Sequence, residues 1–133
     1  MPLLFNIEPA NEKSKDNVLF LDFSNNWNGK LNCFSFTTIR SNSNKYKIDD
    51  EVVVRLKNII YCKVILIKIR TLSINEIIEE GIHITDTGLN NHEFYELLKS
   101  FYSKKIWWKN KETKMNILFF KKIKQLDLFA DTQ

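Results

Sequence analysis

The sequence predicts an α+β protein in which a small β-barrel or curved mixed sheet carries two or three short helices. Strand-like apolar segments dominate up to residue 70, helical periodicity follows over residues 73–102, and one more strand-like segment ends the pattern. Hydrophobic residues make up 44% of the 133 residues, enough for a core and too many for a disordered chain. Helices packed against one face of a sheet are a stable way to bury such segments.

The predicted strands of the first half are short apolar or β-branched runs, namely residues 18–23, 34–40, 52–56 and 59–70. Residues 24–30 form a cluster of turn-forming residues between the first two strands. Lys57 and Asn58 separate the last two runs, and this spacing predicts a tight hairpin turn.

Helical periodicity begins at Ser73. Ser73 with Glu76 three residues later forms a capping box, which predicts the start of a short helix. Gly81 is the residue type that commonly follows a helix end, so we expect the helix to stop there. Residues 82–89 are expected to be a loop.

A second helix is predicted from the repeated capping pattern of Asn90 and Glu93. Its apolar residues recur at helical spacing and define one buried face, made of Phe94, Leu97, Leu98, Phe101 and Tyr102. Residues 106–108 then begin an aromatic edge, and residues 115–123 are predicted to be the last strand.

Composition argues against several kinds of protein and site. Three glycines and two prolines are too few for a glycine-rich phosphate loop or long linkers. No apolar run approaches the ~20 residues of a membrane helix, and no basic segment precedes the short N-terminal apolar patch, as a secretion signal requires. Cys33 and Cys62 have no metal-binding spacing, and with His83 and His92 alone a zinc site is not expected. We therefore expect a cytoplasmic monomer with reduced thiols, no metal and no cofactor.

The net charge of +4 is unevenly distributed. Eight lysines, opposed by Glu112 alone, lie in one C-terminal stretch: Lys104, Lys105, Lys109, Lys111, Lys114, Lys121, Lys122 and Lys124. A one-sided basic surface attracts polyanions and makes their binding depend on salt. A solvated lysine surface without function explains the same pattern, so both interpretations stay open.

Residues 36–56 carry the strongest functional signal. The candidate ligand-binding residues of this segment are Thr37, Thr38, Arg40, Lys45 and Lys47. Arginine offers a planar fork for bidentate contacts, and threonine both donates and accepts, so the group suits a phosphate or a base edge. The alternative is a simple strand end in which Arg40 pairs with Asp49 or Asp50.

The same segment resembles the ASCH domain of the PUA-like superfamily. It contains the strand end Thr38-Ile39-Arg40, a loop with lysines, and a K-x-x-D entry from Lys47 into a valine-rich strand. A long strand then runs into a short helix near Leu72, and the segment from Gly88 to Phe94 resembles the family's G-x-x-x-x-E-F pattern. The resemblance covers about residues 18–124. It implies a small β-barrel with a cleft beside the Thr-Ile-Arg strand, and binding of RNA or modified nucleobases.

One branch of that family contains small amidohydrolases that deacylate N4-acetylcytidine. They resemble this chain at Thr38, the candidate nucleophile, but Ser35 stands where they have a lysine and Thr87 stands near their acid. A threonine hydroxyl needs a neighbouring base, and the leaving amine needs a proton, so the resemblance implies recognition rather than turnover. Asp86 is one residue from the expected acid, and Lys30 would reach the site only if the residues after it were an insertion.

Trp107 and Trp108 form a second candidate binding site. Adjacent strand residues point to opposite faces, so at most one ring would be buried with its neighbours. The other ring could stack on a base, an interaction worth ~1–3 kcal/mol per base. The alternative is that both rings belong to the core or cover it.

The C-terminal tail, residues 125–133, is expected to follow a single domain of residues 1–124 with its core at about 17–124. Its residues Gln125, Leu126, Asp127, Leu128 and Phe129 resemble the pentapeptide by which many bacterial proteins dock on the DNA polymerase sliding clamp. Such a peptide places apolar anchors in a groove while glutamine fixes the register. The alternative is a continuation of the last strand, with the apolar residues packed on the barrel.

Together these patterns predict a bacterial or phage protein that binds nucleic acid, RNA or a modified base, and is recruited to the sliding clamp by its tail. Two alternatives remain. One is an amidohydrolase acting on N4-acylated cytidine, and the other is a non-catalytic protein-interaction adaptor.

Overall fold

The computed structural model describes residues 18–123. The strands are β1 (Leu19–Phe23), β2 (Ser35–Ser41), β3 (Glu51–Leu56), β4 (Ile59–Ser73) and β5 (Lys114–Lys122). The α-helices are α1 (Ile74–Glu80), α2 (Ile82–Thr87) and α3 (Asn91–Tyr102), and short 3₁₀ helices lie at Trp27–Asn32 and Asn110–Glu112. The predicted α+β class, a curved sheet with short helices, is confirmed.

The five strands form one mixed sheet in the order β1-β3-β4-β5-β2. β1 runs parallel to β3, and all other neighbours are antiparallel. The sheet curls into a half-barrel, which brings its two edge strands, β1 and β2, towards each other. Arg40 on β2 donates from Nη2 to the Asp22 carbonyl on β1, at 3.0 Å, and so bridges the opening.

The hairpin between β3 and β4 turns where the sequence predicts it. Lys57 and Asn58 both have positive φ, 53° and 67°, as a tight turn whose twist matches the strands requires. Along β3, Val52 and Val54 are completely buried while Val53 is half-buried, the alternation of a strand with one face in the core.

The two faces of the sheet bury different cores. The core inside the curl contains Leu21, Phe36, Val52, Leu66 and Phe120 among others. The core between the sheet and the helices contains Ile39, Ile77, Phe94, Met115 and Ile117 among others. Because strand residues alternate, Thr38 and Arg40 point into the curl, whereas Thr37 and Ile39 point towards the helices.

Both predicted capping boxes are present. The Ser73 hydroxyl accepts from the Glu76 amide at 3.1 Å, and the Asn90 side chain accepts from the Glu93 amide at 2.8 Å. Gly81 ends α1 in the left-handed region, at φ 75°, as predicted.

The prediction of a loop over residues 82–89 is wrong, because α2 occupies most of it. Left-handed Gly81 redirects the chain into a new helix, and Gly88, at φ 80°, ends that helix. The Asp86-Thr87-Gly88 sequence is therefore the end of α2 rather than part of a loop. Among residues 18–123, the helices are all too short or too polar to cross a membrane.

Candidate functional site

A cleft of about 210 Å³ lies where the half-barrel stays open between β1 and β2. Phe23 comes from β1, and Thr38 and Arg40 come from β2. The 3₁₀ helix Trp27–Asn32, α2 and α3 close the remaining sides. The predicted cleft beside the Thr-Ile-Arg strand thus corresponds to a cavity that five separate segments of the chain build.

Lys30 and Asp86 form an ion pair at this cleft. The Lys30 Nζ donates to Asp86 Oδ1 at 2.9 Å, and the two side chains are only 7% and 3% exposed. The Thr37 hydroxyl donates to the same carboxylate oxygen at 2.7 Å. The carboxylate is therefore held by two donors from two different segments.

The backbone around Lys30 explains how a residue five positions before β2 reaches the site. Asn28 and Gly29 both adopt left-handed conformations, with φ 56° and 65°, which turns the chain back towards the cleft. The Asn28 amide then donates to the Thr85 carbonyl at 3.0 Å, tying this turn to α2. The 3₁₀ helix that carries Lys30 and the helix α2 that carries Asp86 are thus hydrogen-bonded to each other, which places the two side chains side by side.

Burial lowers the pKa of Lys30 below its usual value. Loss of water is the largest cause, and the nearby Arg40 charge acts in the same direction, while Asp86 partly opposes both. Lys30 is thus closer to its neutral amine form than an exposed lysine would be, which is the form that can accept a proton.

Thr38 is buried and lines the cleft next to Arg40. The Arg40 Nε donates to the Thr38 hydroxyl oxygen at 3.0 Å. This contact leaves the hydroxyl proton free to be donated elsewhere, and a cationic donor stabilises the oxygen if that proton leaves. The alternative pairing of Arg40 with Asp49 or Asp50 is not found in the described chain, where its hydrogen bonds go to Thr38 and Asp22.

The wall opposite this polar group is apolar and comes from α3. Its cleft-lining residues are Phe94, Leu97, Leu98, Phe101 and Tyr102, the stripe that sequence periodicity assigned to a buried face. Phe94 and Leu98 are buried in the helix core, but Phe101 is 58% exposed. The helix therefore serves both the core and the cleft.

Trp27 also lines the cleft, where it is half-buried. Sequence reasoning missed it because it lies in a cluster of turn-forming residues. Of the tryptophans among residues 18–123, Trp27 alone lines this cavity.

Trp107 and Trp108 lie in a turn after α3 rather than in a strand, so the strand-based geometry expected for them is wrong. The Trp108 ring stacks on Tyr95 at 6.1 Å and donates to the Asn110 side chain. Trp107 is 38% exposed and contacts Tyr102, with ring centroids 5.4 Å apart. Trp108 is thus held in place by its neighbours, and Trp107 lies beside a cleft-lining residue.

The two loop lysines are placed differently. Lys45 lines a second cavity that adjoins the cleft, whereas Lys47 lines neither of these two cavities. The clamp-like residues 125–129 lie outside the described residues. Within residues 18–123, no cluster of three or more histidine, cysteine or acidic side chains is arranged to hold a metal ion.

Lys30 and Asp86 are the site residues that a gapless reading of the sequence could not place. Ser35 stands at the expected lysine position but is exposed. The signal that could have identified Lys30 is the Asn-Gly pair before it, which favours left-handed backbone and a reversal of the chain.

Comparisons of the chain with protein-family models, with curated proteins and with solved structures gave no match. The functional interpretation therefore depends on the geometry of the cleft and on the sequence motifs.

Proposed function

We propose that the protein is a small amidohydrolase that acts on an N4-acylated cytidine or a similar acylated nucleobase. The observation that supports this most is the buried Lys30–Asp86 pair in the same cleft as Thr38. Sequence reasoning disfavoured hydrolysis because a lysine and an acid were missing beside Thr38. The structure supplies both residue types from other positions.

The proposed first step starts from Lys30 that has released one ammonium proton to solvent and still donates an N–H to Asp86. This neutral amine takes the proton from the Thr38 hydroxyl while that oxygen attacks the amide carbonyl. The lowered pKa of Lys30 favours this role, since an amine must be unprotonated to act as a base. Arg40, which donates to the Thr38 oxygen at 3.0 Å, stabilises the charge that develops as the proton leaves.

In the second step, the C–N bond breaks and protonated Lys30 gives its proton to the leaving amine. The acyl group is then an ester on Thr38, which one water molecule hydrolyses, releasing the carboxylic acid and restoring the hydroxyl. Asp86 holds Lys30 in place and stabilises its charged form during the cycle.

The shape of the cleft supports a planar, partly apolar substrate. Trp27 and the α3 wall offer aromatic and aliphatic surface, and base–aromatic stacking is worth ~1–3 kcal/mol per base. The resemblance to the ASCH domain independently implies a modified nucleobase.

The test is to incubate the protein with N4-acetylcytidine and to follow release of cytidine by chromatography. Lys30→Met should lower the rate by about 10²–10⁴-fold, the usual contribution of a catalytic base. Thr38→Ala removes the nucleophile and should lower the rate at least as much. Ser35→Ala is the matched control, since Ser35 holds the position of the related enzymes' lysine but lies outside the ion pair. Unchanged turnover in Thr38→Ala would exclude this mechanism.

Nucleic-acid binding without turnover is the second candidate function. Four exposed lysines follow α3, the helix that walls the cleft: Lys104, Lys105, Lys109 and Lys111. Such a surface would hold a nucleic-acid backbone while its base enters the cleft. Binding of labelled RNA or DNA at low salt, weakened when these four lysines are replaced by alanine, would support it. No binding and no hydrolysis would leave the adaptor alternative.

The tail carries a separate proposal. Gln125 to Phe129 would recruit the protein to a DNA sliding clamp, which suits a protein of bacterial or phage DNA metabolism.

A further inference from the structure

A second cavity of about 190 Å³ adjoins the cleft. Arg40 and Tyr102 line both cavities, so they form the boundary between the two. The rest of its lining is mainly polar and includes Ser41, Ser43 and Lys45. A ligand that fills the cleft can therefore extend past Arg40 into this space.

Arg40 is a partly buried cation that forms no salt bridge with an acidic side chain among residues 18–123. Its Nε and Nη2 donate to neutral oxygens, those of Thr38 and of the Asp22 backbone. The nearest carboxylates are already engaged, Asp22 with Arg55 at 2.6 Å and Asp86 with Lys30 at 2.9 Å.

A cation that loses part of its water without forming a salt bridge is costly, and the charges of Asp86 and Asp22 offset only part of that loss for Arg40. Desolvation accordingly lowers the pKa of Arg40. An anionic ligand would remove this cost, and a guanidinium matches the paired oxygens of a phosphate.

The second cavity has further donors suited to such an anion. Lys45 supplies an ammonium group, which lies 5.3 Å from the centre of the Tyr46 ring. Ser41 and Ser43 add hydroxyls, and no aspartate or glutamate is among the residues that line this cavity. Tyr46 is itself anchored, since its hydroxyl donates to the Phe20 carbonyl at 2.6 Å.

We propose that this second cavity, bounded by Arg40 and Lys45, binds a phosphate on the ribose of the nucleoside whose base occupies the cleft. The substrate is then a nucleotide rather than a free nucleoside. This inference rests on the proposed function for the identity of the base, but the phosphate site follows from Arg40 and its surroundings alone.

Lys47 provides a matched control within the same loop. It is an exposed lysine two residues from Lys45, and it lies outside both cavities. If an anion is attracted only by the general positive charge of the loop, its binding should depend on both lysines equally. If the second cavity is a specific phosphate site, binding should depend on Lys45 and not on Lys47.

The test measures binding of cytidine and of cytidine 5′-monophosphate by isothermal titration calorimetry, using products so that turnover does not interfere. The monophosphate should bind about tenfold more tightly, the gain expected from one charge-assisted contact. Lys45→Ala should remove most of this preference, and Lys47→Ala should leave it unchanged. A trinucleotide that binds more tightly than the monophosphate would assign the cavity to a phosphate within a strand.

Equal binding of cytidine and its monophosphate would overturn the inference, as would equal losses in the two lysine variants. The proposed function fails separately. If N4-acetylcytidine is not hydrolysed but the monophosphate preference depends on Lys45, the phosphate site stands without the hydrolase. If hydrolysis occurs without a monophosphate preference, the hydrolase stands without the phosphate site.

Discussion

At the scale of single residues, the buried ion pair of Lys30 and Asp86 is the feature that most distinguishes the cleft. Both side chains lose nearly all contact with water, and a buried ion pair of this kind contributes little net stability because desolvation offsets the attraction. Its geometry is nevertheless well specified, with Thr37 as a second donor to the carboxylate. A pair that is costly and well ordered, inside a cleft, is more readily explained by function than by stability.

The lowered pKa of Lys30 predicts how stability depends on pH. Below the folded-state pKa, Lys30 is charged in both states, so the cost of burying its charge is present in full. Above the unfolded-state pKa of about 10.4, it is neutral in both states and this cost is absent. Between these values the unfolded state binds more protons, so stability should rise with pH across this window.

The measurement is the free energy of unfolding by urea at several pH values, for the wild type and for Lys30→Met. The difference between the two proteins removes the contribution of titrating groups that do not contact Lys30. The free energy of unfolding of the wild type should increase relative to that of Lys30→Met as the pH rises towards 10. A difference that stays constant with pH would show that the pKa of Lys30 is not lowered by folding.

At this same scale, the sequence placed Thr38 and Arg40 on one strand, but it left the positions of Lys30 and Asp86 open. Local periodicity predicted the strand that carries Thr38 and Arg40, and the resemblance to the ASCH domain implied a cleft beside it; both residues line a cavity. Lys30 could not be placed, because its position depends on two left-handed residues and on a contact to Thr85, 57 positions from Asn28. Local patterns do not report such distant contacts.

At the scale of elements, the 3₁₀ helix Trp27–Asn32 and α2 behave as one unit. Asn28 joins them through its amide, and Gly88 passes so close that an added Cβ would lie 3.4 Å from Asn28 Oδ1. Helix starts were predictable, since each capping box is a local signal. The existence of α2 was not, since its short sequence contains no capping box and follows directly on a left-handed glycine.

Replacement of Asn28 tests this unit. Asn28→Ala removes the hydrogen bond to the Thr85 carbonyl, worth about 0.5–1.5 kcal/mol, together with a longer one to the Ile84 carbonyl at 3.5 Å. It also places alanine in a left-handed conformation that costs about 1–2 kcal/mol. Asn28→Gly removes the same bonds but tolerates the backbone. In urea unfolding, the alanine variant should therefore be less stable than the glycine variant, which should itself be less stable than the wild type.

Equal stability of the glycine variant and the wild type would mean that the Asn28–Thr85 contact contributes nothing. Hydrolysis of N4-acetylcytidine by the glycine variant gives a second readout. Loosening of the contact should lower kcat more than it raises KM, because Asn28 positions Lys30 without lining the cleft.

At the scale of the whole molecule, the site exists because the sheet does not close. β1 and β2 are its edges, and Arg40 donates a hydrogen bond from β2 to β1 while lining both cavities. The sequence predicted the strands and the curved architecture, but not the strand order. The parallel pairing of β1 with β3 places β1 opposite β2, and this non-local arrangement decides which residues face the opening.

The final prediction concerns the C-terminal residues 125–133, which begin three positions after the end of β5. The Ile123 amide donates to the Lys63 carbonyl at 3.0 Å, the last pairing of this strand with β4 in the described chain. Earlier in β4, Ile59 and Ile60 are exposed and pair with β3 alone among residues 18–123. An extension of β5 would cover this edge and bury apolar surface, whereas a clamp-binding peptide would leave the fold independent of the tail.

If clamp recruitment is correct, deleting residues 125–133 should abolish capture by an immobilised bacterial sliding clamp and leave the melting temperature unchanged. A large fall in melting temperature would instead identify the tail as part of the sheet.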